Sequence, residues 1–168
     1  MALSTYAFGQ DNVKIGYIDM QKALNESEAG KKAKAELEQM VKEKQVKIDE
    51  KVAMRDKLVA ELEKQSVVLS DEALRQKQDE LDLLTREIER MASDARIELE
   101  KSQRELELDI VKDLDEIITK IGKEGGYMLI LPADVILFSV EGIDITDLVI
   151  EKLNERFKSK SKKGSRKR

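Results

Sequence analysis

Cysteine, histidine and tryptophan are absent from this chain of 168 residues, and proline occurs once, as Pro132. Without cysteine there is neither a disulfide framework nor a thiolate zinc site, and without histidine there is no imidazole base or ligand. Aromatic residues make up only 4% of the chain, and because they carry much of a globular core's buried area, a large enclosed core is excluded. No glycine lies between Gly30 and Gly122, no proline precedes Pro132, and no aromatic falls between Tyr17 and Tyr127. Glycine and proline cost a helix interior roughly 1 and 3 kcal/mol relative to alanine, so their joint absence marks residues 27–122 as a long helical arm. Nor does any segment approach the roughly 18 apolar residues that cross a bilayer as a helix. Catalytic signatures are missing too: there is no glycine-rich phosphate loop, no GxSxG and no carboxylate cluster at metal-ligand spacing. The chain is not expected to be an enzyme, nor to carry a cofactor or a metal.

What is present is charge. Asp, Glu, Lys and Arg supply 39% of the residues, and along the arm acids alternate with bases as on a solvated helix surface. One interruption falls at 65–72, Gln-Ser-Val-Val-Leu-Ser-Asp-Glu, where a β-branched pair breaks the helical pattern. Ser70 can then cap a new helix, with Asp71 and Glu72 in its first turn. A hairpin turn is expected there, the alternative being a single unbroken helix. In the second half Ala73, Leu84, Ala95, Leu106 and Ile117 recur every 11 residues, as do Ile88, Leu99, Ile110 and Ile121. The first half echoes this with Leu37, Ile48 and Val59, and with Val41 and Val52. An 11-residue repeat predicts helices that pair straight or with slight right-handed twist, so the arm reads as an antiparallel, nearly straight two-helix hairpin. Its longer helix should extend roughly 70 to 75 Å.

The remaining chain lies at both ends. Residues 1–10 read as the remnant of a secretion signal or as a disordered N-terminus, with Ala7 and Gly9 placed like the positions before a signal-peptidase cut. Residues 11–26 form the first part of a small body: a strand over 13–19, then a short helix capped by Asp19. Residues 123–157 form the second part. Gly125-Gly126 ends the arm, two apolar strands at 127–131 and 135–140 make a hairpin through Pro132-Ala133-Asp134, and a helix follows with Asp144 as cap. Residues 158–168 read as a basic disordered tail. It carries seven bases and no acid, which leaves net charge −11 on the rest of a chain whose total is −4. A body of about 50 residues is usually too small for a stable core without disulfides, metal or association, so oligomerisation is expected. Pairing between copies would also cover the edges of a three-stranded sheet.

The opening KIGYIDMQKALNESEAGKKA (14–33), the charged hairpin, and the ending GGYMLILPADVILFSVEGIDITDLVIEKLN (125–154) together resemble the Skp/OmpH family of periplasmic chaperones. The resemblance implies an α+β homotrimer with a small intersubunit β-barrel body. From it hang helical-hairpin arms around a cavity in the periplasm, where unfolded outer-membrane or secreted proteins are held without ATP. The better-known members are basic with positive arms, whereas here the tip, residues 55–80, has seven acids against five bases. On this reading Leu37, Val41, Ile48, Val52, Val59, Leu84, Ile88, Leu99 and Leu106 line the inner arm faces and touch client. Ile15, Tyr17, Leu129, Leu131, Ile136, Phe138, Leu148 and Leu153 hold the oligomer. The alternative is a structural or adaptor protein whose hairpin sets a distance or docks a folded partner. Prefoldin, another helical-hairpin chaperone, places its strands between the helices, whereas here they flank them. The tail offers at most weak contact with a membrane surface. With no aromatic to stack on bases, it gives no specific nucleic-acid site.

Overall fold

The computed structural model describes residues 13–65 and 68–165, with side chains through Lys162; the expected signal remnant lies outside these residues. Elements follow the order β1 (Ile15–Ile18), α1 (Met20–Glu26), α2 (Glu28–Gln65), α3 (Asp71–Gly125), β2 (Leu129–Pro132) and α4 (Thr146–Ser165), with a 3-10 turn over Ala133–Val135. Contacts divide the chain into two compact units. One, the body, comprises residues up to 31 and those from 108 on; the other, the arm, is 32–107.

The local signals explain the helix ends. Asp19 accepts a hydrogen bond from the Lys22 amide at 2.8 Å and starts α1. At the arm turn, Val68 and Leu69 donate backbone bonds back to the Gln65 carbonyl, and Ser70 takes over as cap. Its hydroxyl accepts from the Ala73 amide at 3.3 Å. Asp71 and Glu72 occupy the first turn of α3, at the positive end of its dipole. The 55 residues of α3 rise about 80 Å at about 1.5 Å per residue, and the helix stops where Gly126 takes a φ of +65° that disfavours any side chain.

The body core gathers Ile18 and Ala23 from the first segment, Ile110, Leu114 and Ile117 from α3, and Ile145, Val149 and Leu153 around α4. Its sheet differs from expectation. β1 and β2 pair in parallel, Ile15 opposite Leu129 through Ile18 opposite Pro132, because the chain leaves β1 on a long helical excursion and returns in the same direction. The other edge of β1 is met by the residues before α4: the Tyr17 amide donates to the Ile143 carbonyl, and Ile145 donates back to Tyr17, both at 2.9 Å. The expected 127–131/135–140 hairpin does not form. The 3-10 turn turns the chain away after β2, and residues 136–140 carry no strand. A strand needs a backbone partner, and the turn over Ala133–Val135 carries residues 136–140 off the free edge of β2, the one strand they were expected to pair with. Within the expected disordered tail, residues 158–165 continue α4 to Ser165, and residues 166–168 lie outside the described residues. Lys160 reaches both oxygens of Asp113 on α3 at 2.7 Å, and Arg156 reaches Asp113 at 2.9 Å and also Glu116, so acids of α3 order the basic turns.

One joint admits no side chain. Between α1 and α2 the buried Ser27 hydroxyl donates to the Leu24 carbonyl and accepts from the Gly30 amide, while Asn154 of α4 accepts from the Glu28 amide at 2.8 Å. A methyl group on Gly30 would lie 1.7 Å from the Leu24 carbonyl oxygen, a backbone atom with nowhere to go. Gly30→Ala is therefore expected to lower stability by about 1–3 kcal/mol, as overpacking does, read as an earlier midpoint in urea unfolding. An unchanged midpoint would mean that the elbow relaxes freely.

Candidate functional site

The arm is held by little. Among the described residues of 32–107 only Leu58 and Ala95 are buried, and neither completely. Ion pairs join α2 to α3 and establish antiparallel pairing: Lys44 with Glu98, Lys51 with Glu87 at 3.0 Å, and Lys77 with Glu61 at 2.9 Å. Hydrogen bonds from Lys77 and Lys44 hold the carboxyls of Glu61 and Glu98 below the ordinary value. Such exposed pairs set register and contribute little stability.

The 11-residue spacing brings part of the expected set together. Leu37, Val41 and Ile48 from α2 meet Ala92, Ala95 and Leu99 from α3 along an open groove of about 400 Å³, edged by Lys44, Arg96 and Glu100. Val41 stays nearly half exposed there, which suits transient apolar contact rather than a core. Leu84 lies instead in a second groove of about 410 Å³ with Met54, Leu58 and Leu83. Val52, Val59, Ile88 and Leu106 are half-buried along the arm and line neither groove. Leu58, Met54, Leu83 and Ala92 escaped the sequence selection. The spacing of Met54 and Leu58 by four residues, one helical turn, was the signal that could have found the second groove.

In the body, the residues expected to hold an oligomer separate by burial. Phe138 is 84% exposed, and Ile15, Leu129 and Leu148 are also exposed, whereas Tyr17, Leu131 and Ile136 are half-buried. Leu153, at 1%, belongs to the protomer's own core. Val135, Leu137 and Val140 add to the apolar surface around Phe138.

A polar network fixes the start of α4 against α1. Thr146 donates its amide to Asp144 Oδ1 at 2.8 Å, its hydroxyl donates to the same oxygen, and that hydroxyl accepts from the Asp19 amide at 2.9 Å. Burial pushes the Asp144 carboxyl up, but the hydrogen bonds from Thr146 and Tyr17 outweigh it and hold it below the ordinary value. Lys22 reaches Asp147 at 2.9 Å, and that bond raises the lysine's pKa. Every member of this network thus has a structural partner. Among the described residues no group of three or more acids converges as a metal site would require. Among those residues, too, no helix is long and apolar enough to cross a membrane.

Among curated proteins none matches this chain. Among solved structures, the crystal structure of a candidate outer membrane chaperone (OmpH-like) from Caulobacter crescentus CB15 is similar over 85% of each chain, with TM-score 0.81 and 17% identity. At that identity the likeness is one of fold. A family profile described as outer membrane protein (OmpH-like) matches residues 14–153, which takes in β1, the whole hairpin, β2 and α4 through Leu153, and the chain therefore belongs to the OmpH-like family.

Proposed function

We propose that this protein is a periplasmic, ATP-independent holdase that keeps unfolded outer-membrane or secreted polypeptides from aggregating, working as a homotrimer whose arms surround the client. The observation that carries the reading is an arm whose apolar stripe is left in open grooves instead of a closed core, in a chain of the OmpH-like family. A spacer would bury its stripe or present a rigid polar surface. The name of the similar Caulobacter protein points the same way. The exposed apolar residues around Phe138, together with the outer face of β2, supply surface for assembly, since a body this small gains stability by association. Retention then comes from many weak contacts around one cavity. Several sites raise the effective concentration, so the client stays bound overall while each contact breaks readily, and release needs no nucleotide.

The test is suppression of aggregation of a denatured outer-membrane β-barrel protein by the purified oligomer; no suppression means that the hairpin is only a spacer. Salt adds a second readout. With −11 net charge outside the basic end, clients with basic segments are expected to be captured more tightly. Raising ionic strength to about 0.5 M, where screening acts within a few ångströms, should weaken their capture several-fold. Affinity indifferent to salt and to client charge would assign holding to apolar contact alone.

A further inference from the structure

We propose that the groove in the tipward half of the arm selects client segments in which an apolar side chain and a lysine or arginine stand two positions apart, with Glu80 reading the base. This rests on the holdase reading and specifies what one of its sites takes. The floor of the groove is apolar: Leu58 is buried, while Met54 at 55% and Leu83 at 67% stay open beside Leu84. A flexible thioether lets side chains of different shape settle there, so the floor by itself discriminates poorly among apolar residues. Charge supplies the choice.

Three charged residues line this groove, Lys51, Glu80 and Glu87. Lys51 is engaged by Glu87, whose two carboxylate oxygens it reaches at 3.0 and 3.1 Å. Lys77, one turn before Glu80 on α3, is likewise held by Glu61 at 2.9 Å. Glu80 is exposed, and among the described residues it makes no ion pair. Arg55, Lys57 and Arg86 do not line the groove. Arg55 is held by Asp56 at 2.7 Å, Lys57 stands about 100° round α2 from Leu58, and Arg86 stands about 9 Å from Glu80 along the α3 axis. The groove thus presents an apolar floor with one uncompensated negative charge at its tipward end. Spacing then decides what fits. Glu80 precedes Leu83 and Leu84 by about one turn, roughly 5–6 Å along the axis. In an extended chain, side chains two positions apart point the same way at about 6.6 Å, so an apolar residue seated on the floor brings such a base beside Glu80. A segment with an acid in that position meets repulsion instead.

Two fluorescein-labelled peptides, one repeating Ser-Phe-Ser-Arg and the other Ser-Phe-Ser-Glu, test this by anisotropy with the full-length protein at low salt. The arginine peptide is expected to bind at least about fivefold more tightly. Glu80→Gln should weaken it at least about threefold, the scale of an exposed charge pair repeated over several sites. Glu80→Lys should narrow or reverse the preference, and about 0.5 M salt should remove it. Glu89→Gln is the control, since Glu89 is an exposed acid of the same helix that lines neither groove and the substitution removes the same charge. Equal losses in Glu80→Gln and Glu89→Gln would assign the reading to the overall negative field and overturn the proposal. So would a Glu80→Gln variant that binds like the original, or equal binding of the two peptides. Each of these leaves the holdase reading intact when the unaltered protein suppresses aggregation of a denatured β-barrel protein. A preference that depends on Glu80, in a protein that suppresses no aggregation, would support the selectivity of the groove and overturn the holdase reading.

Discussion

Replacing residues 40–104 by a short glycine-containing turn is expected to leave a folded, associating body and to abolish aggregation suppression. The core that defines the body, from Ile18 and Ala23 through Leu114 and Ile117 to Val149 and Leu153, lies wholly outside the deleted stretch, as do the β1–β2 ladder and the network at the start of α4. What is removed is the pair of grooves lined by Leu37, Val41, Ile48 and Leu99 and by Met54, Leu58 and Leu84, apart from Leu37 itself. Circular dichroism should show helix content reduced in proportion to the shorter chain, and sedimentation should show an unchanged number of subunits. An armless protein that still protects a denatured β-barrel client would place the binding surface on the body and refute the arm mechanism. The same reasoning predicts a graded response, since a multivalent holder loses affinity as sites are removed rather than at one residue.

Leu153→Ala is expected to cost about 2–5 kcal/mol, the range for deleting a buried leucine where the surroundings collapse only in part. Leu153 sits on α4 one turn beyond Val149, which is wholly inaccessible, and both belong to the core that Leu114 shares. In a body of this size that loss is a large fraction of the roughly 5–15 kcal/mol that holds a domain folded, so urea unfolding should begin at the lowest concentrations. Phe138→Ala is the control. With 84% of its surface free in the protomer, Phe138 has little to lose within one chain, so any large effect must appear as weaker association. If Phe138→Ala instead unfolds the protomer while Leu153→Ala is tolerated, the division between core and assembly surface is reversed.

What was legible in the sequence was whatever depends on neighbours a few residues away. Asp19 as a cap, the turn at 65–70 with Ser70 restarting the helix, and the stop at Gly126 are local hydrogen bonding and backbone freedom, and the chain's own spelling contains them. The 11-residue repeat likewise placed Leu37, Ile48, Ala95 and Leu99 on facing sides, because helical periodicity is carried by each helix alone. The resemblance to the Skp/OmpH family joined these parts in the right order. Only the tertiary structure decided the rest. Residues 135–140 read as a strand by composition, yet a strand exists only when another backbone offers its N–H and C=O groups, and the turn over Ala133–Val135 takes residues 136–140 off the free edge of β2. The tail read as disordered for want of an amphipathic pattern, but residues 158–165 continue α4, and Lys160 there meets Asp113 of α3. Leu58 rather than its neighbour Val59 became the buried residue of α2 in the arm because the rotation of one helix against the other, which no single helix encodes, selects which neighbouring residue faces the partner.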